Sequence, residues 1–66
     1  MNRAIEELKF AVEEWTADDA HVSEVLALVS NVSVALAAFA AAARLRPKAH
    51  LTLRQGARLI EVGPER

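Results

Sequence analysis

From Met1 to Trp15 the apolar residues Ala4, Ile5, Leu8, Ala11, Val12 and Trp15 recur at helical spacing. At about 100° per residue they fill an arc of about 120°, the stripe of a helix lying on a core. The spacing predicts a helix over about residues 2–15, with Asn2 able to cap it. Its opposite side carries Arg3, Glu6, Glu7, Glu13 and Glu14, with Phe10 set among them. An aromatic residue there breaks the pattern of a solvated face.

Thr16-Ala17-Asp18-Asp19 then has the composition of a helix start, since threonine can cap and aspartates favour the positive end of the helix dipole. A second helix is predicted over about residues 17–45, ended by Pro47. One side of it holds Val22, Val25, Leu26, Val29, Val32, Leu36 and Phe39. The reverse is small, with Val34, Ala38, Ala41 and Ala42 forming a possible close-packing seam. Such a helix packs on two sides or bends near Ser30 to Ser33. The 19 residues from Val25 to Ala43 carry no charge, but nearly half are alanine and Ser30, Asn31 and Ser33 interrupt them. That composition argues for a buried helix and against a membrane span.

The segment Lys48 to Val62 admits two readings. As a hairpin turning at Gln55-Gly56, it pairs Leu53 with Arg58, Leu51 with Ile60, His50 with Glu61 and Ala49 with Val62. As a helix, Thr52-Leu53-Arg54-Gln55 is a capping box, followed by Ala57 and Ile60 at helical spacing. In the helical form, residues 51–65 resemble the first helix and turn of helix-turn-helix proteins of the excisionase and MerR-like kind, which run Leu-Thr-x-x-Glu-Ala-Ala-x-Leu-Leu-Gly-Val-Ser. Gly56 stands where those have a helix alanine, and Glu61 where they have the terminating glycine. Both differences suit the hairpin, and residues 62–66 leave no space for a recognition helix. The expectation is an α+β domain, residues 1–66, of two antiparallel helices with a C-terminal β-hairpin over about 49–62. An all-α small bundle is the alternative.

Chain length and chemistry narrow the function classes. A domain of 66 residues buries only about 60% of its unfolded surface, so a partner or a second copy can add needed stability. There is no cysteine, which excludes disulfides and thiolate zinc sites, and Met1 to Trp15 lacks the apolar run of a secretory leader. These features predict a cytoplasmic protein. No glycine-rich phosphate loop or nucleophile-base pair is present, so neither an enzyme nor a bound cofactor is expected. Asp18, His21 and Glu24 would share a side of the second helix, but three groups without a fourth make no metal site.

Charge supplies the main functional clue. Residues 1–24 hold seven acidic and two basic side chains, net −5; residues 25–66 hold two acidic and six basic, net +4. A helical row of Glu6, Glu7, Glu13 and Glu14 around Phe10, extended by Asp18 and Asp19, could meet a basic surface on a protein partner. The plainer alternative is a solvated outer face, with Phe10 covered by the hairpin or by another copy. The alternatives are a small homodimeric regulatory or antitoxin-like protein, or a weak nucleic-acid binder through Arg44, Arg46, Lys48, Arg54, Arg58 and Arg66, whose lack of aromatics for base stacking argues against direct nucleic-acid binding beyond a nonspecific footprint. Both a monomer and a homodimer remain open. In length, acidic face and lack of catalytic groups the chain resembles the small anti-CRISPR proteins of phages and mobile elements that inhibit type I effector complexes. That resemblance implies a stoichiometric inhibitor occupying a nucleic-acid-binding surface.

Overall fold

A computed structural model describes residues 9–63. It contains β1 (Phe10–Trp15), β2 (Val22–Val29), α1 (Val32–Leu45), β3 (His50–Gln55) and β4 (Arg58–Gly63). The four strands form one sheet, ordered β2-β1-β3-β4, in which every neighbouring pair is antiparallel. The helix covers one side of it.

The two-helix architecture is therefore wrong, and so is the all-α alternative. Residues 10–15, expected to be helical, form β1, one of the two inner strands, while the part of that predicted helix before Lys9 lies outside the described residues. Phe10, Val12 and Trp15 have β-forming side chains, and the sheet offers both edges of this segment a hydrogen-bonding neighbour. Period two replaces period 3.6: Phe10 and Val12 turn towards the helix, and Ala11, Glu13 and Trp15 turn away.

The predicted second helix loses its first half for local reasons. Asp18 accepts from the Thr16 hydroxyl at 2.6 Å and from the Ala20 amide at 3.0 Å, while the Asp19 amide donates to the Thr16 carbonyl at 2.8 Å. Capping chemistry thus closes a tight turn instead of starting a helix. Asp19 has φ 63°, a left-handed conformation that an α-helix does not accommodate. Beyond it Val22, Val25 and Val29 extend along β2. The helix begins only at Asn31, whose side-chain oxygen accepts from the amides of Ser33 (2.8 Å) and Val34 (3.1 Å). What the sequence allowed as a bend is a boundary between strand and helix. Among the described residues no helix is long and apolar enough to cross a membrane.

The core lies where α1 crosses the sheet. Val12, Ala35 and Leu53 are fully buried, and Ala38, Phe39 and Ala42 pack around them with Phe10, Leu26, Ala27, Val29 and Ile60. Positions 35, 38, 39 and 42 form one helical stripe, three-quarters alanine, which lets the backbone lie close to the strands. Ala38 and Ala42, two members of the expected seam, thereby pack within the fold, while Val34 is exposed. The C-terminal segment is a hairpin, with a register unlike the expected one: Gln55 faces Arg58 and Leu53 faces Glu61. Ile60 is an extra residue between them, a bulge that alternation alone does not reveal. Gly56, at φ 59°, takes the left-handed position of the turn.

Candidate functional site

The side of the sheet turned away from α1 has no covering element among the described residues. Residues directly opposite each other in adjacent strands share a face, and Val12 with Leu53 marks the helix side. The open face consequently carries Ala11, Glu13 and Trp15 from β1 and His50, Thr52 and Arg54 from β3. Val22, Val25 and Leu28 flank them on β2, and Leu59 and Val62 on β4. These flanking apolar side chains are solvent-exposed, at 55% for Val25, 56% for Leu28 and 54% for both Leu59 and Val62.

Between the flanks runs a connected polar row. Arg54 donates from Nε to Glu13 Oε1 at 2.7 Å and from Nη2 to Oε2 at 2.8 Å, a two-pronged grip on the carboxylate. The Thr52 hydroxyl donates to Glu13 Oε1 at 3.5 Å and accepts from the Trp15 indole at 2.9 Å. Glu13 and Thr52 are buried although no described helix or strand lies over that side of the sheet. Every buried side-chain polar atom among the described residues has a partner. The hydrogen bonds to Glu13 raise the Arg54 pKa above its ordinary value, so its charge is fixed at any physiological pH. The arrangement is a stiff, internally neutralised centre with apolar borders.

The other early acids are also engaged. Arg46, just past the end of α1, reaches back to both Glu14 and Glu24, the latter at 3.0 Å, and these contacts raise its pKa. Asp19 meets His50, joining the β1–β2 turn to the start of β3. Asp18 is held below the usual aspartate pKa by the Thr16 hydroxyl and then by the Ala20 amide. The charge division seen in the sequence is an internal complementarity: acids of β1 and β2 meet bases of the later half.

This corrects the acidic helical face. Glu13 and Glu14 lie on opposite faces of a strand, bonded to different arginines; Asp18 and Asp19 sit in a turn. Phe10 packs against the core cluster and is no exposed anchor. Glu6 and Glu7 lie outside the described residues. Asp18, His21 and Glu24 lose their shared helical face, since Glu24 lies on β2 and bonds Arg46; no group of three or more potential ligands gathers among the described residues. Sequence reasoning missed Thr52 and Arg54 as companions of Glu13, and the exposed flanks of β2 and β4. The readable signal was the opposite charge of the two halves, which predicts pairing as readily as it predicts a dipole. No protein-family model, curated protein or solved structure matches the chain.

Proposed function

We propose that the protein is a noncatalytic interaction module that binds another protein through the open face of its sheet. The observation that carries this reading is the set of exposed apolar side chains, Val25, Leu28, Leu59 and Val62, bordering one face of the sheet. Exposed apolar side chains along both borders of one sheet face, on a domain this small, mark a contact surface. The partner is a protein surface with apolar residues for the flanks and a carboxylate for Arg54. Glu13 is nearly buried whereas the Arg54 side chain is 36% exposed, so the guanidinium is the end of this neutral pair that faces an incoming surface. This inverts the expected preference for a basic surface and leaves the role of stoichiometric inhibitor or adaptor without a helical nucleic-acid mimic.

The test compares wild type, Leu28→Glu and Leu45→Glu, each immobilised and each carrying a photo-activated cross-linker at position 25. Leu45 is exposed on the helix, remote from the open face. A partner cross-linked by wild type and Leu45→Glu, and lost with Leu28→Glu, supports the reading; equal capture by all three overturns it.

A further inference from the structure

β4 is the outer strand of the sheet, and its outward backbone groups face no other strand among the described residues. We propose that it pairs antiparallel with β4 of a second copy of this chain, joining the two sheets edge to edge about a twofold axis. This holds whether or not the open face binds a different protein.

Side-chain placement selects the register. Leu59 stands opposite Arg54 and Val62 opposite Thr52, so both lie on the open face; Arg58, opposite Gln55, and Glu61, opposite Leu53, lie on the helix side. The bulge residue Ile60 packs towards the core and joins the helix side. An added strand keeps its pleat only if like faces meet. Setting Leu59 opposite the partner subunit's Val62 meets that condition: the twofold repeats this apolar pair, and Ile60 then faces the partner subunit's Glu61. Arg58 stands diagonal to the same glutamate, a separation that long side chains cross. A shift by one residue would set Leu59 against the partner subunit's Glu61 and mix the faces.

Charge supports the same arrangement. Arg58 and Glu61 are exposed, and neither forms an ion pair with a described residue, so each is available to its counterpart across the twofold. The other edge lacks these properties. β2 carries two irregularities, at Ser23 and Leu26, against the single one at Ile60 in β4, and its one charged residue, Glu24, is bonded to Arg46 and so not available to a second copy. An isologous contact needs one self-complementary patch, and β4 supplies it.

Sedimentation equilibrium across about 10–500 μM, a range suited to a small edge contact, tests the proposal. The wild-type average mass should climb from the monomer towards twice that value. Glu61→Arg, which sets like charges together twice, should weaken association about tenfold, and Arg58→Glu/Glu61→Arg should restore it. Circular dichroism checks that each variant folds. Independently, amide exchange in β4 of wild type should slow as concentration rises. A wild type that stays monomeric throughout, a double variant that fails to recover, or slowing confined to β2 overturns the assignment.

Discussion

Arg54 holds both carboxylate oxygens of Glu13 across two adjacent central strands, linking residues 41 apart in sequence. Removing one partner leaves the other badly placed, and Glu13 is the more buried of the two. Arg54→Met should destabilise the protein by about 2–3 kcal/mol, at the lower end for a buried pair because the guanidinium is partly hydrated. Replacing both, as Glu13→Leu/Arg54→Met, should recover most of that loss. Urea denaturation of the single and double variants measures the difference, and equal destabilisation by both would contradict the account.

The helix start rests on one side chain. Asn31→Ala removes the acceptor for the Ser33 and Val34 amides and should cost about 1 kcal/mol. For a domain of this size that lowers Tm by roughly 4–8 °C. Asn31→Asp retains the acceptor and should melt close to wild type.

Gly56 adopts φ 59° in the β3–β4 turn, where a Cβ is disfavoured. Gly56→Ala should cost about 1 kcal/mol, whereas Gly56→Asn, a residue that tolerates this conformation, should cost less. Thermal melts of the two variants give the order directly.

Acid should act on the β1–β2 turn through Asp18. Its carboxylate is held below the ordinary 3.8 by Thr16 and the Ala20 amide, so the folded state favours the ionised form. A depressed folded pKa contributes stability above the unfolded value and loses it as pH falls through the folded one. The Asp18 carboxyl carbon should titrate below 3.8 in wild type and move upward in Thr16→Val. An unchanged midpoint would show that the hydroxyl is not the cause.

Arg46 contributes little by comparison. Its contacts with Glu14 and Glu24 are solvent-exposed, so Arg46→Gln should destabilise far less than Arg54→Met, and the difference from wild type should shrink in about 1 M salt. Denaturation at low and high salt separates this effect from the salt-resistant loss expected at Arg54.

Several elements could be read from the residues, and their failures have physical causes. Asn31, the alanine stripe and Pro47 mark α1, but its start was hidden because Val22 to Val29 is as apolar as the helix that follows. A short apolar run fits either period until its neighbours are known. The same holds for Phe10 to Trp15, where Val12 and Trp15 suit a helical stripe while strand pairing puts them on opposite faces. The hairpin turn was legible from Gly56, but the register was not, since the bulge at Ile60 changes the count. For the site, Glu13 and Glu14 stood out by charge alone. Their partners Arg54 and Arg46 lie 41 and 32 residues away, a separation that local pattern does not cross.

The position of β1 between β2 and β3 also governs when the molecule can form. Its pairing with β2 closes a short loop, but its pairing with β3 joins Phe10 to Gln55 and Trp15 to His50. Contacts this distant in sequence carry a loop-closure entropy that must be met before they stabilise anything, which slows folding relative to a helical bundle of equal size. A nascent chain ending before His50 would hold β1 with one edge bare and Glu13 without its arginine. Completion of the fold therefore waits for the second half of the chain, and synthesis delivers the acids well before the bases that neutralise them.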